Sequence, residues 1–319
     1  MSQGDYIIVA LCAIVGSFFA TRASISIAHL ARIHATPNDR TLHSGAIPRL
    51  GGAGIGFAFA LALLVAWFLS RDAPILWTLL CLIPLILAGL YDDYVSSKGG
   101  DNHKWAALAK LAAQFAAALI AGFLIFQPES ILLAKGWQIK IGFWGIPLVC
   151  LWLVAATNFF NFMDGANGLA GGTAVVVSLF AGVWNFQAGQ TWAVVLCLVT
   201  GLAALGFLPF NFPRPKTFMG DCGSLALGFS LALVCLPAAQ GMMQRQLNPW
   251  LLLLLWSPFL LDAGITLCRR LLRRENIFKA HNSHFYQTLI KAGHSHVEVS
   301  LLYWNLAVFF NLLALWLYR

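Results

Sequence analysis

The sequence predicts an all-α polytopic membrane protein, a bundle of about ten transmembrane helices with its polar loops concentrated on one face. Three observations predict it. Hydrophobic residues make up 60% of the 319 and charged residues only 10%, whereas roughly a quarter are charged in soluble domains. Apolar runs of the length a helix needs to cross the hydrocarbon, about 20 residues, can be laid out ten times along the chain. Basic residues fall 14 to 5 in favour of the loops after odd-numbered runs. Because positive loops stay cytoplasmic, the odd loops are cytoplasmic and both termini lie outside. The whole chain, 1–319, reads as one integral membrane domain.

The runs lie at about 6–28, 51–70, 74–91, 105–126, 143–160, 168–187, 191–209, 223–240, 249–268 and 298–318. The first is too long for a signal-peptide core and has no basic leader or small-residue cleavage site, so it is expected to be retained. In the loop that follows, Pro37, Pro48, Gly51 and Gly52 impose a shaped turn. Arg40, His43 and Arg49 in that loop are donors suited to phosphate; the plainer alternative is that they only enforce topology.

The third run ends in Asp92-Asp93. Adjacent carboxylates repel, which calls for a cation beside them, and a helix C-terminus is the wrong place for negative charge. A divalent metal would resolve both problems; the plainer alternative is an acidic pair that solvates the interface. The fourth run supplies Lys104, Lys110 and Gln114, and residues 127–142 suggest a short external hairpin.

Between the fifth and sixth runs stands the polar island Asn158-Phe-Phe-Asn161-Phe-Met-Asp164-Gly165-Ala-Asn167-Gly168. Polar groups at such a junction are costly and are kept mainly to bind something. Asn158, Asn161 and Asp164, three residues apart, would share one helical face. The seventh run leads into Asn211-Phe-Pro-Arg214-Pro and then Phe218-Met-Gly220-Asp221-Cys-Gly223-Ser224. Asp221 could be a helix cap or a metal ligand. Asp262, inside the ninth run, is either a structural partner of an Arg or part of the pocket, and the structural role is favoured. The last cytoplasmic loop carries Arg269, Arg270, Arg273, Arg274, Lys279, His281 and His284. The two histidines are expected on one helical face, donating to phosphate. Zinc is disfavoured, because the usual spacings and Cys partners are missing.

Seven cysteines without paired spacing imply no disulfide framework. No Gly-x-x-x-x-Gly-Lys-Ser/Thr loop suggests ATP use. The net charge of +8 suits anionic headgroups or a phosphorylated substrate and is no evidence of nucleic-acid binding. Carboxylates, basic groups and histidines on one face describe a site for a magnesium-bound diphosphate. A transporter would place its ionisable groups near mid-bilayer. An intramembrane aspartyl protease does not fit the Asn and His company of these Asp residues.

Leu90-Tyr-Asp92-Asp93, Asn158-x-x-Asn161-x-x-Asp164-Gly165-x-x-Gly168, Asn211-x-Pro, Phe218-Met-Gly-Asp221-x-Gly-Ser224 and the His281/His284 loop, in this order over roughly 36–296, resemble the polyprenyl-phosphate N-acetylhexosamine-1-phosphate transferases of glycosyltransferase family 4. The resemblance implies about ten or eleven transmembrane helices with cytoplasmic active-site loops. It implies transfer of a sugar-1-phosphate from a UDP-sugar to undecaprenyl phosphate with release of UMP. It makes Asp221 a ligand of Mg²⁺, or of Mn²⁺ as a substitute, and Phe218 a stacking partner for uracil. Asn161, Asp164 and Asn211 would line the nucleotide pocket, with Asn158, Gly165 and Asn167 beside them. Lys110, Arg274, His281 and His284 would hold phosphate and sugar, and Asp92 and Asp93 would activate the lipid phosphate. A homodimer is compatible with this membership. Asn167 stands where the muropeptide-precursor branch has Asp, and Ala280-His281-Asn-Ser-His284 replaces a compact His-His pair. These departures argue against a peptide-bearing sugar and point to the branch that starts O-antigen or similar glycans.

Overall fold

The computed structural model describes residues 1–35, 47–98, 103–134, 137–240, 246–276 and 281–318; Arg40 and His43 lie outside them. The long helices are α1 (Gln3–Ala31), α2 (Gly51–Ser70), α3 (Ala73–Lys98), α4 (His103–Leu124), α5 (Gly145–Phe162), α6 (Leu169–Gln187), α7 (Thr191–Phe207) and α8 (Gly220–Gln240). Shorter ones follow, α9 (Pro249–Trp256), α10 (Phe259–Leu272) and α11 (Phe285–Lys291), and then the long α12 (His296–Leu317). Among the described residues nine helices are long and apolar enough to cross a membrane.

The expected straight segment at 249–268 is instead two helices, α9 and α10, bent by 97°. Pro258 has no amide to donate and disfavours a helical Ser257, which is extended (φ −69°, ψ 142°). A run of leucines hides that break when only hydropathy is read. At the other end of α9, Asn248 accepts from the amides of Trp250 and Leu251, and α12 opens on a Ser295–Glu298 capping box.

α8 is the axis of the bundle. Every residue in its membrane-spanning window is buried, and it packs on α2, α3, α5, α6, α7 and α9. A helix apolar all round belongs inside, and its Gly, Ala and Ser residues let neighbouring backbones come close. The expected hairpin is present: β3 (Ser130–Ala134) pairs antiparallel with β4 (Trp137–Lys140), Ser130 opposite Lys140, and β5 (Gln246–Leu247) adds to β3 in parallel. At the other end of the bundle, β1 (His34–Ala35) and β2 (Ile47–Pro48) flank the loop between α1 and α2. The C-terminal ends of α3, α5 and α7 meet the N-terminal ends of α4, α6 and α8 on that same side, where the polar motifs come together.

Candidate active site

Asp92 and Asp93 do not terminate α3, because the helix continues to Lys98. Tyr94-Val-Ser-Ser-Lys98 is too polar to extend the apolar run yet remains helical. The dipole penalty at the end of α3 is offset across the bundle. Asp93, fully buried, accepts from the amides of Asp221 at 3.0 Å and Cys222 at 3.1 Å. It therefore caps the first turn of α8, where negative charge is favoured. Gly220 makes that approach fit: its φ is +67°, and a Cβ there would lie 2.5 Å from Asp93 Oδ2.

Two cations enter the cluster. Arg49, directly after β2, places Nε 3.0 Å from Asp93 Oδ1 and Nη2 3.4 Å from Asp221 Oδ1. Lys110 of α4 places Nζ 3.1 Å from Asp92 Oδ1 and 2.5 Å from Asp221 Oδ2. Burial works against the Arg49 charge, but Asp93, Asp221, Asp92 and Asp164 together raise its pKa. One carboxylate oxygen from each of Asp92, Asp93 and Asp221 lies within 4.8 Å of the others, the sole such metal-competent group among the described residues. An all-oxygen, acid-rich donor set suits a hard divalent ion such as Mg²⁺ or Mn²⁺ and not a soft one, so these residues fit the group that the sequence implies.

The polar island divides its tasks. Asn158 does not project freely: its amide and that of Gln114 bond reciprocally at 2.7 and 3.4 Å, clasping α5 to α4. Asn161 reaches α8, donating to Ser224 Oγ at 2.7 Å, three residues from Asp221. Asp164 follows the end of α5, so the expected common helical face stops at Asn161. Burial pushes the Asp164 carboxyl well above the usual carboxylate range, the Asp221 charge adds to this, and Arg49 opposes it.

Asn211 is buried behind the wall, its Oδ1 accepting from the Gly168 amide at 2.6 Å and its Nδ2 donating to the Thr217 carbonyl at 3.0 Å. With both ends of the amide bound to backbone, it clamps the α6 entry. Asn167 is likewise engaged, with its amide nitrogen 3.3 Å from His296 Nδ1 and its side chain donating to Pro213 O at 3.3 Å. Phe218 is half-buried and held through its backbone, its amide on Pro48 O at 2.8 Å and its carbonyl on the Gly51 amide at 3.0 Å. Those bonds place Phe218 beside β2, which Arg49 directly follows.

The histidine loop departs from expectation. His281 precedes the helix and His284 is the N-cap of α11, so the two share no helical face. Their rings are nonetheless 4.9 Å apart. Burial, with the Arg270 charge next, lowers the His281 pKa to about 4, leaving a neutral imidazole at physiological pH. His284 is buried, with Nδ1 3.3 Å from Asp262 Oδ1. Among the described residues Asp262 thus has no Arg partner; Arg270 pairs with Glu275 at 3.4 Å instead. Tyr286 donates to Phe162 O at 3.1 Å and sits so close to Gly165 that a Cβ there would collide with its hydroxyl. Arg274 lies exposed just beyond α10, and among the described residues no ion pair joins it to the carboxylates.

Asp92, Asp93, Asp221, Arg49, Lys110, Asn161 and Asp164 therefore converge, while Asn158, Asn167 and Asn211 brace the walls. Sequence reasoning missed Thr217, whose hydroxyl bonds Pro48 O at 2.9 Å, and Tyr303, whose hydroxyl donates to Asp262 at 2.5 Å. Neither carries a local sequence signal, since each acts on a residue far along the chain.

A family model for "Glycosyl transferase family 4" matches residues 75–239. The chain is 30% identical to decaprenyl-phosphate N-acetylglucosaminephosphotransferase of Mycobacterium leprae, covering 92% of this chain and 79% of that protein. It is 27% identical to the probable undecaprenyl-phosphate N-acetylglucosaminyl 1-phosphate transferase of Bacillus subtilis, covering 88% and 75%. It is 29% identical to phospho-N-acetylmuramoyl-pentapeptide-transferase of Staphylococcus aureus, covering 85% and 84%.

Proposed function

The chain belongs to glycosyl transferase family 4, the polyprenyl-phosphate N-acetylhexosamine-1-phosphate transferases, and from that premise we propose that it transfers a sugar-1-phosphate from a UDP-N-acetylhexosamine to undecaprenyl phosphate. The products are undecaprenyl-diphosphate-sugar and UMP, and the reaction is the first membrane step of a cell-surface glycan of the O-antigen type. It takes place on the cytoplasmic side of a bacterial inner membrane. The observation that carries this reading is the cluster of Asp92, Asp93 and Asp221 bridged by Arg49 and Lys110 at the buried N-terminus of α8. The names of two relatives contain N-acetylglucosamine and no peptide, which together with Asn167 and the spacing of the two histidines supports a sugar without a peptide.

In the transfer, an oxygen of the lipid phosphate forms a bond to the sugar-bearing phosphorus of the donor. The bond from that phosphorus to the bridging oxygen breaks, and UMP leaves with the electron pair. Asp221, with Asp92 beside it, would hold Mg²⁺, which when bound neutralises charge on the diphosphate. Arg49 and Lys110 supply fixed positive charge to the same phosphates. Asp92 faces the acceptor headgroup and takes its residual proton, whose pKa near 6 needs only modest help. Asp93 acts earlier in the hierarchy: by capping α8 it fixes where the Asp221 carboxylate points. Phe218 stacks on uracil, Asn161 and Asp164 line the donor side, and the neutral His281 offers a hydrogen bond to phosphate or sugar.

The test is transfer of label from a panel of UDP-N-acetylhexosamines to undecaprenyl phosphate in lipid extract, with mass spectrometry of the lipid product. Uptake of the sugar into sealed vesicles without a labelled lipid would point to a transporter instead.

A further inference from the structure

Asp262 has more donors than any other carboxylate described, and none of them belongs to the reaction just derived. It lies in the first turn of α10, just past the 97° break. Its Oδ1 accepts from the Phe285 amide at 2.8 Å and is 3.3 Å from both His284 Nδ1 and Thr266 Oγ1. Its Oδ2 accepts from the Tyr286 amide at 3.0 Å and the Tyr303 hydroxyl at 2.5 Å. A carboxylate buried this deeply persists only when its lone pairs are satisfied, and here three helices supply the donors. The first two amides of α11 are thus held by a residue more than twenty positions upstream, at the point where the chain turns back toward the site.

The contact continues inward. Tyr286, fixed through its amide, donates its hydroxyl to Phe162 O at 3.1 Å and lies against Gly165. Those two residues bracket the turn that carries Asp164, and Phe162 directly follows Asn161. A change at Asp262 therefore reaches the donor side of the site through one side chain, whereas Asp92 and Lys110 are held by α3 and α4, and among the described residues no ion pair or hydrogen bond joins either of them to α11. We infer that Asp262 is a positioning residue for the sugar-nucleotide substrate, acting through Tyr286 on the 161–165 turn and setting the orientation of His284. The inference rests on the proposed transferase reading.

The experiment uses the full chain in nanodiscs. Asp262→Asn removes the charge from two backbone amide bonds, and charge-assisted bonds of this kind are worth roughly a tenfold to hundredfold change. The KM for the UDP-sugar should rise by about that factor, with the KM for undecaprenyl phosphate unchanged. Hydrogen exchange of the Phe285 and Tyr286 amides should accelerate by at least about tenfold, with exchange in α8 unaltered. Tyr286→Phe deletes only the downstream bond, so it should raise the donor KM alone and leave exchange at Phe285 as in the wild type.

Equal rises in both KM values, or unchanged exchange in a folded Asp262→Asn protein, would overturn the inference. If Asp262→Asn does not fold, an unchanged donor KM in Tyr286→Phe overturns it. If the wild type transfers no sugar-phosphate at all, the functional reading fails, while the exchange measurement still decides whether Asp262 anchors α11.

Discussion

Replacing Lys110 by Met should tighten the grip of the carboxylate cluster on a divalent ion. Lys110 Nζ contacts Asp92 Oδ1 at 3.1 Å and Asp221 Oδ2 at 2.5 Å, on two of the three carboxylates that would hold a metal. The side chain is 22% exposed, so these contacts are only weakly screened. A bond to a charged partner contributes about 1.5–3 kcal/mol, and an incoming cation has to displace two. The released ammonium is rehydrated and recovers about half of the loss, which leaves a net cost on the order of 1.5–3 kcal/mol. Removing it corresponds to roughly a tenfold to hundredfold lower Kd. The assay is titration of purified protein with Mn²⁺, free ion being read by electron paramagnetic resonance without substrates present. Activity should be lost in the same variant, because the ammonium displaced by metal is the group that meets the substrate phosphate. An unchanged or weaker Mn²⁺ affinity would refute the competition, and Lys110 would then be a support of the metal site.

Asp221→Asn should shift the Mg²⁺ requirement upward with partial recovery at high Mg²⁺ or with Mn²⁺, while Asp92→Asn stays inactive at every metal concentration yet still binds UDP-sugar; rescue in the opposite pattern reverses the two roles. Phe218→Ala should raise the KM for UDP-sugar at least about tenfold more than that for lipid phosphate, and equal effects would assign the ring to packing. His281 has a folded pKa of about 4, below the ordinary value near 6.5, so the unfolded chain takes up the proton first and stability declines as pH falls from about 6.5 toward 4. His281→Gln should flatten that slope in thermal melts, and an identical slope would place the acid sensitivity elsewhere. A cysteine introduced at Ser283 should react with an impermeant thiol reagent only after the inner face is opened; labelling on intact cells would invert the proposed topology.

Most helices were legible because apolar runs of membrane length leave few alternatives. What the runs concealed is instructive. Pro258 marks the break, but the seven apolar residues Trp250–Trp256 outweigh one proline in any hydropathy reading. α3 runs seven residues past the end of its apolar run, because Tyr94–Lys98 stays helical without being apolar enough to extend it. The acidic positions of the site were readable from charge at costly places, and the three carboxylates do meet. Their division of labour was not readable. Asp93 differs from Asp92 only in pointing at α8, and Asn211 was expected at the pocket before its amide was seen to be occupied on both sides. His281 and His284 were placed on a helix by spacing, whereas the α11 cap depends on Asp262, which no local pattern connects to them.

The extension of α3 places Asp92 six residues below the helix end at Lys98, a depth of about 9 Å. On the proposed reading, the nucleotide-sugar reaches Asp92 from water, whereas the acceptor phosphate arrives along the bilayer on its membrane-resident chain. The two substrates then meet the enzyme in different dimensions. One is counted per litre and the other per unit of bilayer area, so adding inert phospholipid at a constant bulk amount of acceptor slows turnover by surface dilution without changing any concentration in the aqueous phase.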